Sequence, residues 1–237
     1  MRAALAAALL CAACASHTPT IGMSAQHFEG QVRRAVQYEY LLYLPPSYTE
    51  SDEAWPLVIF LHGSGESGAD LGMVRAHGPP RLITEGRDFP FIMVAPQAPE
   101  MRPWDIDALD LLLDDIMRTH RVDPDRVYLT GLSNGGKGAW SWAIARADRF
   151  AALAPVAGYG DANRVCALGQ LPVWSFHGAL DDVVPAAFDT ATVEALQRCN
   201  GNVRYTLYED ANHDSWTRTY ANDELYTWLL SQRRAQR

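Results

Sequence analysis

Val127-Tyr128-Leu129-Thr130-Gly131-Leu132-Ser133-Asn134-Gly135-Gly136 runs from a short apolar stretch into a serine framed by glycines two residues to either side. The pattern fits a strand that turns sharply into a helix, with the serine lifted onto the turn. A residue held there adopts strained torsions, and its neighbours at minus two and plus two must be small to avoid clashes, which Gly131 and Gly135 provide. Gly136 gives the helix room to leave close to the strand. The helix N-terminus then brings its positive end and free N–H groups beside the serine, where an oxyanion can be held. Ser133 is therefore a candidate nucleophile.

Around this stretch the chain alternates. The runs 57–61, 91–95, 127–130, 151–156, 173–176 and 203–208 are short and largely apolar, as suits strands covered on both faces. Between them lie helix-like stretches at 106–120, 135–146, 187–198 and 223–234. Such alternation predicts an α/β fold with a mostly parallel central sheet and helices on both faces. Two earlier segments, Phe28 to Arg34 and Val36 to Leu44, alternate in polarity, and the second ends in Pro45-Pro46; they predict an antiparallel pair at the sheet edge. The segment from Gly158 to Leu171 is too short for a large lid, so the site is expected to be open.

A nucleophilic serine needs a base to take its proton and an acid to orient that base. Downstream of Ser133 the chain supplies both, in that order. Asp181 and Asp182 follow the run 173–176, and His213 follows the run 203–208, so both positions are expected in loops at the carboxyl edge of the sheet, where sites of such folds collect. Of seven histidines, only His213 combines a place after the acid with a loop after a strand. His17 and His27 are N-terminal, His120 suits a helix C-terminus, and His62 and His177 each precede a glycine, as turn residues bonded to local backbone would. Asp182 competes with Asp181 for the acid role, its other reading being a cap for the helix that begins near Pro185. The second oxyanion donor is expected from Leu61-His62-Gly63-Ser64-Gly65-Glu66, with the Ser64 and Asn134 N–H groups making the pair. Glu66, Gln97, Trp104 and Trp216 are candidates to line the mouth of the site, the other reading of each being loop packing.

Composition narrows the partners. With 237 residues, 48% of them hydrophobic, the chain can bury the core of one α/β domain, placed at 27–237 after a short linker at 16–26. A formal net charge of −8 argues against a surface that tracks phosphates, so nucleic acid is not an expected partner. Residues 1–15 carry one positive charge at Arg2, an Ala/Leu run and then Leu10-Cys11-Ala12-Ala13-Cys14-Ala15, which reads as an export signal too short to span a bilayer. Small residues before Cys14 resemble a lipoprotein cleavage site with Cys14 as the lipidated residue, although Cys11 stands where Leu is more usual; the other reading is ordinary cleavage near Ala15. Export would place the protein in a bacterial cell envelope, periplasm or medium, attached to a membrane only through such a lipid. An oxidising compartment permits a bond between Cys166 and Cys199, which otherwise stand as two separate buried thiols.

Together, Tyr43-Leu44-Pro45-Pro46-Ser47-Tyr48, Leu61 to Gly68, Val94-Ala95-Pro96-Gln97, Gly131 to Gly136, His177-Gly178-Ala179-Leu180-Asp181 and His213-Asp214-Ser215-Trp216 give the chain a family likeness. It resembles the α/β-hydrolases of the phospholipase/carboxylesterase and dienelactone-hydrolase-like branch, close to polyhydroxybutyrate-depolymerase-like esterases and predicted peptidases. The resemblance covers nearly all of residues 30 to 235. In the family the acid sits four residues after the His-Gly histidine, which selects Asp181, and the position of Asn134 more often carries Met. The likeness implies a serine hydrolase acting on a small-molecule or polymeric ester, with no metal and no cofactor. A serine peptidase with the same triad, or a non-catalytic envelope protein that kept the fold, are the competing readings.

Overall fold

Seven strands form one sheet in the order β1-β3-β2-β4-β5-β6-β7 in the computed structural model, which describes residues 34–50 and 52–234. The strands are β1 (Tyr40–Tyr43), β2 (Trp55–Leu61), β3 (Ile92–Pro96), β4 (Val122–Leu132), β5 (Ala152–Val156), β6 (Val173–Gly178) and β7 (Val203–Tyr208). All neighbours are parallel except β1, which runs antiparallel to β3 with Tyr40 opposite Pro96 and Tyr43 opposite Met93. The helices are α1 (Gly78–Thr84), α2 (Ile106–Thr119), α3 (Asn134–Ala145), α4 (Ala186–Arg198), α5 (Trp216–Ala221) and α6 (Asp223–Ser231).

Successive side chains of a strand point to opposite faces, so the apolar runs feed two cores at once. In β2, Leu57, Ile59 and Leu61 pack with Leu109, Ile116, Trp140 and Leu196 beneath α2, α3 and α4. Val58 and Phe60 face the other way, joining Tyr220, Leu225, Tyr226 and Leu229 of α5 and α6. α2 starts where it does because Asp105 caps it, accepting from the Ala108 N–H at 3.2 Å.

The N-terminal strand is antiparallel at the sheet edge, as expected. Strand β1 covers only 40–43 of the 36–44 stretch, and its partner is β3; the proposed companion at 28–34 falls, but for Arg34, outside the described residues, as do the export segment and Cys14. Cys166 and Cys199 are joined by a disulfide, with Cα atoms 5.8 Å apart, tying the 3₁₀ turn at Val165–Leu168 to the end of α4.

The strand order sets the position of the site. β2 leads on to β3 on one side and its neighbour β4 leads on to β5 on the other, so the connections leave the carboxyl ends of β2 and β4 in opposite directions. A crevice opens beyond the carboxyl ends of β2 and β4, the place where open α/β sheets bind ligands.

Candidate active site

Ser133 stands at that crevice, between β4 and α3, with φ 53° and ψ −115°. For a residue with a Cβ this region is sparsely populated and strained. The packing that enforces it explains the flanking glycines. A methyl group on Gly131 would meet the Gly135 carbonyl oxygen at 2.5 Å, and one on Gly135 would meet the His62 carbonyl oxygen at 2.5 Å. On Gly136 it would meet the Val156 carbonyl oxygen at 2.6 Å, so α3 passes this close to the sheet only without side chains.

His213 and Asp181 converge on the serine from the two strands at the far side of the sheet. The His213 Nε2 lies 3.0 Å from Ser133 Oγ, and its Nδ1 lies 2.7 Å from Asp181 Oδ2. A carboxylate can only accept, so Nδ1 carries the proton and Nε2 is left to accept from the serine hydroxyl. Two backbone bonds brace the acid and base loops against each other, from Ala179 N–H to the Tyr208 carbonyl and from Leu180 N–H to the Ala211 carbonyl, both 2.9 Å. Asp181 Oδ1 accepts from the Val183 and Val184 N–H groups at 3.0 and 2.8 Å. Burial pushes the Asp181 carboxyl up, but the His213 bond and these two N–H groups outweigh it and hold it below the ordinary carboxylate range. Asp182 points into solvent, and α4 has no side-chain cap at its N-terminus, so neither reading of Asp182 has a contact behind it.

The loop expected to supply the second oxyanion donor lies against the serine. A methyl group on Gly63 would come within 3.6 Å of Ser133 Cβ. Ser64 opens the 3₁₀ turn Ser64–Glu66, and Asn134 opens α3; the N–H of a first helical residue has no partner within its own helix. His62 fixes this loop from below: its Nε2 accepts from the Ala98 N–H at 2.9 Å, so Nδ1–H donates to the Gly63 carbonyl at 2.5 Å. Burial pushes its pKa down, in keeping with a neutral ring.

Residues 105–226 match the family model described as phospholipase/carboxylesterase. The chain belongs to the phospholipase/carboxylesterase family of α/β-hydrolases. This family member is 31% identical over 158 residues to the provisionally named esterase NocK of Nocardia uniformis subsp. tsuyamanensis, covering 62% of the chain and 46% of NocK. It is 27% identical over 184 residues to the bifunctional acetylxylan esterase/xylanase XynS20E of Neocallimastix patriciarum, covering 73% of the chain and 26% of that protein. The chain thus spans less than half the length of these curated relatives. Among solved structures, a thermostable esterase superposes with a TM-score of 0.72 at 31% identity, covering 84% of this chain and 60% of the other.

The other candidates of this phospholipase/carboxylesterase family member divide into two groups. Glu66 and Trp216 lie beside the triad: Glu66 Oε2 would be 3.3 Å from a methyl group on Gly63, and the Trp216 ring stands edge-on to His213 with centroids 5.0 Å apart. Gln97 and Trp104 instead serve the scaffold. Gln97 Nε2 donates to the Glu66 and Asp70 carbonyls, both at 2.8 Å, pinning the loop, and Trp104 is buried between the His62 ring and Gly138.

His177 is a neighbour of Asp181 whose place sequence reasoning missed. Far from a turn, it is a fully buried residue of β6, with Nε2 2.8 Å from the Val184 carbonyl and 3.2 Å from Asp181 Oδ2, and Nδ1 3.3 Å from Asp189 Oδ2. The Val184 carbonyl can only accept, so Nε2 carries a proton, while Nδ1 faces the Asp189 carboxyl, whose own pKa burial pushes up. Burial pushes the His177 pKa down, yet the Asp189 hydrogen bond and charge outweigh this and raise it. Ser175 Oγ completes the network by donating to Asp189 Oδ2 at 2.7 Å. A buried histidine–carboxyl pair thus stands behind Asp181.

Proposed function

We propose that the protein is a serine esterase cleaving carboxylic esters through an acyl-enzyme. The observation that carries the reading is the unbroken chain from Ser133 Oγ through the two nitrogens of His213 to Asp181, at 3.0 and 2.7 Å, on a strained elbow. His213 takes the serine proton as Oγ attacks the ester carbonyl, and the Ser64 and Asn134 N–H groups hold the oxyanion. His213 returns the proton to the departing alcohol. Water, deprotonated by the same imidazole, then releases the acid. Similarity to proteins named as esterases supports esters over peptide amides. We further propose that residues 1–15 direct export and that Cys14 carries the lipid; sensitivity of processing to globomycin tests this.

The deciding experiment pairs a fluorophosphonate probe with kinetics on short p-nitrophenyl esters. Ser133 is expected to be the labelled residue, and Ser133→Ala to lower turnover by about 10⁶, the loss that follows removal of a triad serine. Hydrolysis by Ser133→Ala at the wild-type rate overturns the assignment, and faster cleavage of matched peptide amides than of esters favours the peptidase reading.

A further inference from the structure

One helical turn past Ser133, α3 carries a charge that the reaction just described does not use. Lys137 is the only lysine among the chain's 20 Lys and Arg residues. It is half-buried, and no carboxylate of the described residues lies within 4.0 Å of its ammonium. Its neighbour is instead the Tyr159 ring, whose centroid is 4.8 Å from Nζ. A cation this close to a helix N-terminus opposes the helix dipole, so the helix itself gives no reason for a lysine there. Tyr159 in turn packs on Phe188 of α4, with centroids 5.1 Å apart. Lys137, Tyr159 and Phe188, with Asp161 and Thr192, line an open cleft of about 500 Å³ beside α3 and α4, and Lys137 is the one cation in its lining.

Three contacts tie this cleft to the nucleophile. Ser133 N–H donates to the Val156 carbonyl at 2.9 Å, and Tyr159 is three residues further along the same segment. That segment stays against α3, since a methyl group on Gly158 would stand 2.6 Å from the Lys137 nitrogen. Lys137 N–H donates to the Ser133 carbonyl at 3.0 Å, which puts the two residues on one face of the helix start, about 6 Å apart along its axis. Helical side chains lean toward the N-terminus, so the lysine stem runs back toward the serine. Other polar groups of the cleft are used within the chain: Thr192 Oγ1 donates to the Gly160 carbonyl at 3.0 Å, and Asp161 Oδ1 accepts from the Asn163 N–H at 2.9 Å. The Lys137 ammonium has no hydrogen-bond acceptor among the described residues.

We infer that this cleft takes the acyl portion of the ester and that Lys137 pairs with a carboxylate at its far end, so that hemiesters of dicarboxylic acids are the preferred substrates. The inference rests on the esterase reading. The acyl portion is the part that stays bonded to Ser133, and one helical turn separates that bond from Lys137, a span that a few methylenes cover. Along the way the chain meets the rings of Tyr159 and Phe188; the Phe188 side chain is 53% exposed, and an apolar spacer lying on it removes that surface from water. An ammonium is a compact charge with three donors, which suits a single carboxylate. An alkyl end leaves Lys137 unpaired, and a cationic end is repelled. The chain as a whole works against such a preference: at a net charge of −8 it repels an anionic ester, so only a local cation can reverse the order.

The test compares the mono-4-nitrophenyl esters of adipic and suberic acid with the 4-nitrophenyl esters of hexanoic and octanoic acid, in wild type, Lys137→Met and Lys137→Arg. Each pair differs only by a carboxylate in place of the terminal methyl. At low ionic strength, wild type is expected to favour the hemiester of at least one pair in kcat/KM by about tenfold, the effect of one hydrogen bond between charged groups. Lys137→Met is expected to erase that preference, Lys137→Arg to keep most of it, and added salt to shrink it in wild type. A general structural loss lowers both esters of a pair together and cancels in the ratio. Equal kcat/KM within both pairs in wild type, or preference for the alkyl esters, overturns the site, as does a hemiester preference that Lys137→Met leaves intact. Failure of wild type to cleave any of the four esters, with no fluorophosphonate labelling of Ser133, is a different result and overturns the esterase reading itself.

Discussion

Replacing Gly178 by Ala places a methyl group where the loop carrying His213, the proposed base, now lies. Gly178 ends β6, and a Cβ on it would stand 2.5 Å from the Ala211 carbonyl oxygen and closer still to that of Asn212, the residue before His213. Strand β6 cannot retreat, because β5 and β7 hydrogen-bond it on both sides and Gly178 itself pairs with Tyr208. The 211–212 loop must therefore move. Real Cβ contacts rarely fall under 3.0 Å, so the Ala211 carbonyl has to shift by at least half an ångström, and the Asn212 carbonyl by more. Carried to His213, a movement on the order of 1 Å stretches the 3.0 Å contact with Ser133 Oγ past hydrogen-bonding range.

A misplacement of that size lowers the rate by about 10²-fold, or about 2.7 kcal/mol of transition-state stabilisation. The same overpacking costs about 1–3 kcal/mol of stability and lowers Tm by several degrees, leaving a folded protein at room temperature. The assay is kcat/KM on p-nitrophenyl acetate alongside the rate of fluorophosphonate labelling, with circular dichroism melts to establish the folded fraction. Both rates are expected to fall together, since each depends on His213 activating Ser133. A folded Gly178→Ala protein that retains activity within about threefold of wild type would refute the argument that this glycine sets the base, because a 1 Å error cannot be that cheap.

Three further outcomes follow from the structure. Reducing the Cys166–Cys199 disulfide, which spans a sequence separation of 33, is expected to cost about 3–4 kcal/mol by loop-closure entropy, read as a fall in Tm when a reductant is present; an unchanged Tm would rule that contribution out. The Asp181 carboxyl, held low in the folded state, stabilises the fold above the ordinary carboxylate value of 3.8, and that contribution disappears as pH drops through the lowered pKa; Asp181→Asn is expected to flatten this acid limb in pH-dependent melts. His177, held high, stabilises fully below 6.5 and loses that contribution as pH rises through its raised pKa. Asp189→Asn removes the main partner of that ring, so its Tm is expected to lose the alkaline decline that His177 gives wild type, while kcat falls because Asp181 loses its backing.

How much of this could be read from the sequence depends on whether local pattern or distant contact decided the position. The six core strands and the four long helices were legible because each buries a regular apolar face, and the elbow was legible because its two small neighbours answer to clashes within a few residues. The order of Ser133, Asp181 and His213 marked the carboxyl edge of three strands, which the parallel sheet then brings together. Helix α1, with Pro79 and Pro80 in its first turn, and the short α5 beside Trp216 were missed, since neither shows a full helical period. The pairing of the edge strand β1 with β3 joins segments about fifty residues apart, which local alternation does not reveal. Trp104 and Gln97 sit close in sequence to chemistry-bearing segments, but their roles are set by His62 and by the 66–70 loop, which no spacing reveals.

His177 shows why a buried titratable group escapes a reading by motif. Its neighbour Gly178 suggested a turn, whereas the glycine is there to make room for the 211–212 loop and the histidine continues the strand. What raises its pKa is Asp189, a residue inside α4 that looks like any helix-surface acid until the fold turns it into the core at zero exposure. Such a pair is expensive to bury and adds little to stability compared with apolar residues of the same size. Its retention beside Asp181 makes sense if its contribution is to catalysis: a buried ring 3.2 Å behind Oδ2 fixes the acid that His213 needs. On that argument the triad is the exposed end of a five-residue line, Ser133, His213, Asp181, His177 and Asp189. Mutations at its buried end should then appear first in kcat and in the pH profile, with KM hardly moved.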